Sequence, residues 1–172
     1  ILICLNRETF DLHKGELNQN AAIVYDSESF SISETEKPPA SILVPVPLMK
    51  LSKESGGDVL TRNTVALGVI MALMGHDLNI LNQVIHDQFA SKKEEIILIN
   101  NKAAELGFNF VQQQLKIQLQ KQIVSQKLVE KQLVLTGNEA LGLGAIKAGM
   151  KFFAAYPMTP INGLLYYMAA IS

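Results

Sequence analysis

The residues best placed to do chemistry stand in the stretch KFFAAYPMTPINGLL, Lys151 to Leu165, where one hydroxyl, Thr159, sits between Pro157 and Pro160. Each proline fixes φ and removes a backbone donor, so Met158 and Thr159 are kept out of the strand-like half before them and the helix-like half after them. A hydroxyl held in this way can be aimed at a ligand, and a loop that follows a strand is where open α/β sheets bind theirs. The plainer reading takes the two prolines as a turn and a helix-starting proline, and on spacing alone both stand. Other candidates are few. Gly137, Gly142, Gly144 and Gly149 do not spell G-x-G-x-x-G, and only Gly137 lies in the turn after the strand at Leu135. Gly142 and Gly144 read instead as places where a helix comes close to a sheet. His13, His76 and His86 lack metal-ligand spacing, so no metal site is expected on this chain. The lone Cys4 permits neither an internal disulfide nor a cluster and reads as a small buried hydrophobe in ILICL. No Ser/His/Asp grouping, paired carboxylates or phosphate-loop lysine is present.

Composition narrows the classes of partner. The 172 residues are 48% hydrophobic, enough for a real core, and fifteen basic against sixteen acidic residues leave a net charge of −1. With no basic patch and no RNA-binding aromatic motif, nucleic acid is not expected as a partner. The longest apolar run, within NTVALGVIMALMG, is far short of the roughly 20 residues that cross a bilayer, so no membrane span is expected. The chain opens in mid-strand at Ile1, without a signal segment, and stops at Ser172 about three turns into a helix that has no cap. It is expected to be part of a longer protein.

Periodicity gives the elements that must position Thr159. ILICL, a polar helix around Arg7 to Leu17 and AAIVYD form a strand, helix, strand unit, which favours a parallel sheet. The Ser- and Pro-rich segment from Ser27 to Ser41 reads as a surface excursion, followed by a strand in SILVPVP and a short helix ending at Gly56-Gly57. From about Val59 to Gly75 runs a helix apolar on nearly every side. Leu78 to Phe89 is amphipathic, with Asp77 placed to cap it, and Glu94 to about Val111 is helical. Gln112 to Lys131 alternates Gln and Lys with single apolar residues and reads as a connector, helix or edge strand. A second strand, helix, strand unit then begins: Leu133 to Leu135, a Thr-Gly-Asn turn able to cap a helix, a helix to about Ala148, a Gly149 stop, and Lys151 to Ala155.

The run GNEALGLGAIKAGMKFFAAYPMTP resembles the start of the pyrimidine-binding domain in the α subunit of 2-oxoacid:ferredoxin oxidoreductases, whose members carry a Gly-Asn-Glu-Ala helix and, one strand later, Tyr-Pro-Ile-Thr-Pro. Upstream, LNRETFDLHKGELNQNAAIVYD and RNTVALGVIMALMG resemble the γ domain of these enzymes, which one branch fuses ahead of the α domain in this order. The resemblance implies an α/β protein with a γ-type domain over 1–111, a connector over 112–131 and the opening of a pyrimidine-binding domain over 132–172.

It further implies a thiamine diphosphate enzyme that decarboxylates a 2-oxoacid, 2-oxoglutarate by analogy with the fused branch, passes two electrons singly to ferredoxin and hands the acyl group to coenzyme A. Carried over residue by residue, the role at the substrate carboxyl end falls on Thr159 and contact with the aminopyrimidine falls on Tyr156, Pro157 and Met158. The diphosphate, its Mg2+ and an iron–sulfur cluster would sit with a β subunit in a cytoplasmic hetero-oligomer, and residues 1–172 alone would be inactive. Two departures stand out. Met158 replaces the usual isoleucine, a volume-conserving swap, and Ile161, Asn162 and Gly163 stand where the family has serines and a glutamate. The family's pyrimidine-activating glutamate would follow Ser172. Two alternatives are a non-catalytic subunit-assembly module and an indolepyruvate-type oxidoreductase of the same class.

Overall fold

The computed structural model describes residues 1–119 and 133–171, arranged as two compact units, Ile1–Ser125 and Gln126–Ser172. In the first unit, β1 (Leu2–Cys4), β2 (Ala22–Asp26) and β3 (Ile42–Val46) form a parallel sheet in the order β1-β2-β3. Leu2 lies opposite Ile23, Ala22 opposite Ile42 and Asp26 opposite Val46. All five residues of β2 are buried, as a central parallel strand covered on both faces requires. Because successive side chains point to opposite faces, Ala22, Val24, Val44 and Val46 enter one core while Cys4, Ile23 and Tyr25 enter another.

Helix α1 (Arg7–His13) closes the second of these cores with Phe10, and Asn6 caps it by accepting from the Thr9 N–H at 2.9 Å. The first core is closed by α2 (Leu48–Glu54), α3 (Arg62–Leu73) and α5 (Glu94–Asn109), with α4 (Leu78–Phe89) packed against α3 and α5. The neighbours of α3 cover Val65, Ala66, Val69, Ala72 and Leu73, while Leu67 stays exposed. Asp77 caps α4 as its position predicts, accepting from the Asn79 N–H at 2.9 Å. After α5 a π-helical turn, Phe110–Leu115, takes in the first residues of the expected connector, and the Leu119 N–H donates to the Leu73 carbonyl at 3.1 Å. Residues 120–131 of that connector lie outside the described residues.

The Ser27–Ser41 excursion is more tightly held than its composition implies. Ile32 is buried, Phe30 lies 5.5 Å from the Tyr25 ring, and the Arg7 guanidinium donates to the Ser31 carbonyl at 3.0 Å and pairs with Glu36. Burial likewise pushes the Cys4 thiol up to about 11, in keeping with a core role.

In the second unit, α6 (Gly137–Lys147) and α7 (Asn162–Ala170) are the regular elements among the described residues. The strands expected over Leu133 to Leu135 and Lys151 to Ala155 do not form; both segments run without regular structure. A strand needs a neighbour to take its backbone hydrogen bonds, and among the described residues of this unit neither segment has one. Several of their apolar side chains face outward, with Val134 98% and Phe152 83% exposed. Gly144 also departs from expectation, since a Cβ there would meet nothing within 4 Å, and Gly142 packs against α7 rather than against a sheet.

Candidate functional site

Helix α6, which precedes the Thr159 turn, is fixed at both ends. Thr136 caps α6 through a reciprocal box: its Oγ1 accepts from the Glu139 N–H at 3.3 Å, and its own N–H donates to Glu139 Oε2 at 2.6 Å. That backbone donor holds the Glu139 carboxyl below its ordinary range. At the other end Gly149, with φ +92°, stops the helix; its N–H reaches the Ile146 carbonyl at 2.9 Å and the Met150 N–H reaches Ala145 at 3.1 Å. The chain then runs through 151–156 to Pro157 and enters a turn from Met158 to Ile161, closed by the Ile161 N–H donating to the Met158 carbonyl at 2.9 Å, with a cis Thr159–Pro160 peptide.

Thr159 belongs to that turn and to neither flanking element. Helix α7 starts at Asn162 with no side-chain cap, so Thr159 is not its N-cap, and Pro160 stands two residues ahead of its first residue. Among the described residues the Thr159 hydroxyl makes no hydrogen bond. Tyr156, Pro157, Met158 and Thr159 lie together on the surface, Tyr156 81% and Met158 63% exposed, rather than inside a cleft. A hollow of about 500 Å³ in this unit is lined by other residues, among them Ile146, Met150, Phe153 and Met168.

The exposed ring and thioether of Tyr156 and Met158, with Pro157 between them, offer the apolar surface on which a flat pyrimidine can lie, and Thr159 adds a free hydroxyl. Metal ligands are another matter. No group of three His, Cys, Asp or Glu side chains converges among the described residues. His13 lies 3.2 Å from Glu16, and His86 lies 3.5 Å from Asp87.

Two relationships escape a reading of the sequence. Asp26, fully buried at the carboxyl end of β2, lies 3.8 Å from the Arg62 guanidinium at the start of α3, and its Oδ1 accepts from the Glu28 N–H at 3.3 Å. An acid closing an otherwise apolar buried strand, AAIVYD, is the signal that could have found it. Asn138 lies against Gly163, tying the first turns of α6 and α7 together.

The family model for pyruvate ferredoxin/flavodoxin oxidoreductases matches residues 1–110. The chain belongs to that family. It is 25% identical over 125 residues to 2-oxoacid:ferredoxin oxidoreductase 2, subunit alpha, of Aeropyrum pernix, a match covering 70% of this chain and 19% of that protein. The 2-oxoglutarate:ferredoxin oxidoreductase from Magnetococcus marinus, solved with 2-oxoglutarate, coenzyme A and succinyl-CoA bound, superposes with a TM-score of 0.83 at 28% identity, over 98% of this chain and 29% of its own. The γ subunit of a keto/oxoacid ferredoxin oxidoreductase from Geobacter sulfurreducens shares the fold, with a TM-score of 0.51 over 62% of this chain, 60% of its own and 23% identity. The chain thus spans about a fifth of the curated family member's length and under a third of the Magnetococcus chain. No helix among the described residues is long and apolar enough to cross a membrane.

Proposed function

We propose that this chain is part of the α subunit of a thiamine diphosphate-dependent 2-oxoacid:ferredoxin oxidoreductase that converts 2-oxoglutarate, coenzyme A and two oxidised ferredoxins to succinyl-CoA, carbon dioxide, a proton and two reduced ferredoxins. The observation that carries this reading is the likeness to the Magnetococcus enzyme over nearly the whole chain, together with the ligands bound there. The γ-subunit fold and the family match over 1–110 support a γ-type domain at 1–111; in this reading a connector follows at 112–131 and a pyrimidine-binding domain opens at 132–172.

When bound, thiamine diphosphate supplies the stabilisation of the carbanion left by decarboxylation. Tyr156, Pro157 and Met158 provide the surface for its pyrimidine ring. Thr159 donates its hydroxyl hydrogen to the substrate carboxylate, and because its turn closes on its own backbone, the main chain that carries this donor is set in place before substrate arrives. Mg2+, the diphosphate and the iron–sulfur cluster sit with a β subunit in a cytoplasmic hetero-oligomer, and residues 1–172 alone do not turn over.

The test is reconstitution of the full-length subunit with its partner. Ferredoxin reduction that requires 2-oxoglutarate, coenzyme A and thiamine diphosphate together is the expected result. Turnover of pyruvate or indolepyruvate in preference would overturn the substrate. An assembled complex inert toward every 2-oxoacid would favour an assembly module, for which the surface position of the Thr159 turn and the Ile161-Asn162-Gly163 segment are the supporting observations.

A further inference from the structure

The contacts between helices α6 and α7 include two at glycines, four residues apart on each helix. A Cβ on Gly142 would fall 2.9 Å from Tyr167 Cδ1 and 3.0 Å from Met168 Sδ, and a Cβ on Gly163 would fall 2.5 Å from Asn138 Nδ2. The step from Asn138 to Gly142 and the step from Gly163 to Tyr167 both run toward the carboxyl end, so the helices run in the same direction with their first turns side by side. One of those first turns carries the Thr136 cap. The other is joined to the Thr159 turn by consecutive backbone bonds, Ile161 N–H to Met158 and Leu165 N–H to Ile161, at 2.9 and 3.0 Å. Gly163 has no positive φ, so its glycine answers to space and not to conformation. The space is filled by the Asn138 carboxamide.

We infer that Asn138 is a positioning residue for Thr159: seated on the α carbon of Gly163, it fixes the angle at which the first turn of α7, and with it the Thr159 turn, stands against α6. This rests on the proposed role of Thr159. A donor displaced by about 1 Å can lose on the order of 100-fold in rate, so a contact two helix residues away from the turn is close enough to matter. Asn138 and Gly163 act as a matched pair, one supplying volume where the other withholds it.

The experiment uses the full-length subunit assembled with its partner, with 2-oxoglutarate as substrate, and reads both kcat/KM and amide exchange at Ile161. Gly163→Ala drives a methyl into the carboxamide, and Asn138→Ala removes the carboxamide while leaving Asn138 Cβ, which a Cβ at 163 would meet at an ordinary 3.8 Å. Each single substitution is expected to speed Ile161 exchange and to lower kcat/KM about fivefold or more. The Asn138→Ala, Gly163→Ala pair, whose two methyls fit, is expected to return within about threefold of wild type. In a Thr159→Val background the kinetic cost of Gly163→Ala should disappear. Unchanged exchange at Ile161 in both single variants, or a Gly163→Ala cost that persists undiminished without the Thr159 hydroxyl, would overturn the inference. If exchange responds as expected while Thr159→Val turns over normally, the contact governs the turn and it is the proposed role of Thr159 that fails.

Discussion

Gly68 of α3 lies against the backbone carbonyl of Ala104 in α5, so close that a methyl on Gly68 would overlap that oxygen. Gly107 of α5 meets the Val65 carbonyl of α3 in the same way. The two glycines let α3 and α5 approach backbone to backbone. Gly68→Ala gains about 1 kcal/mol in helix propensity, but the overlap involves main chain that cannot turn aside, so a net loss of about 1 to 3 kcal/mol is expected in urea denaturation. Gly144→Ala is the control. It sits in α6 with open space around it and should be neutral or stabilising by up to about 1 kcal/mol.

The second prediction concerns the buried acid of β2. Asp26 Oδ2 and Arg62 Nε have no hydrogen-bond partner among the described residues, and the two side chains face each other at 3.8 Å. Arg62→Met would leave a fully buried carboxylate without its countercharge, a change that costs about 3 kcal/mol or more. Removing both charges with Asp26→Leu and Arg62→Met should recover most of that loss. A double variant no more stable than Arg62→Met alone would show that the pair does not act as a unit.

The third follows from the loop between β2 and β3. The Arg7 guanidinium, joined by bonds from the Ser33 hydroxyl and N–H, holds the Glu36 carboxyl down to about 2, and Arg7 and Lys14 hold Asp11 below its ordinary range. A carboxylate with a depressed folded pKa contributes fully above its unfolded value and loses that contribution as pH falls through the folded one. Residues 27–41 should therefore stay protected from proteolysis down to about pH 3 and become labile as pH approaches 2. Glu36→Gln should make the loop labile at neutral pH while the sheet remains folded. Equal protection in wild type and variant at pH 7 would remove the Arg7–Glu36 pair as the anchor.

The elements that sequence predicts well are those whose determinants are local. Leu78–Phe89 follows from its apolar spacing and the Asp77 cap, and AAIVYD follows from an unbroken apolar run. The segments at Leu133 to Leu135 and Lys151 to Ala155 have strand chemistry, but pairing is a property of two segments, and composition cannot say whether the second is at hand. The same limit hides the Gly68 contact and the Asp26–Arg62 pair, since nothing local to Gly68 or Arg62 names the element it will meet. At the candidate site the turn itself was legible, because two prolines around one threonine leave little conformational choice. Its surface setting was not, and neither was the contact of Asn138 with Gly163, which spans 25 residues.

The last prediction separates a hydroxyl that binds substrate from one that merely occupies a turn. Thr159 does not cap α7 and makes no hydrogen bond among the described residues, so the fold draws no evident benefit from its oxygen. Thr159→Val keeps the β-branched shape and the side-chain volume while removing the donor, and the turn closed between Met158 and Ile161 should survive because its bond is main chain to main chain. If the hydroxyl donates to a 2-oxoacid carboxylate in the assembled enzyme, its loss removes a charge-assisted hydrogen bond worth about 1.5 to 3 kcal/mol, or roughly 10- to 150-fold in kcat/KM. The melting temperature and thiamine diphosphate affinity of the complex should stay near wild type. An unchanged kcat/KM with a lowered melting temperature would mean that the Thr159 hydroxyl serves the turn ahead of α7 and that the two prolines aim it at nothing.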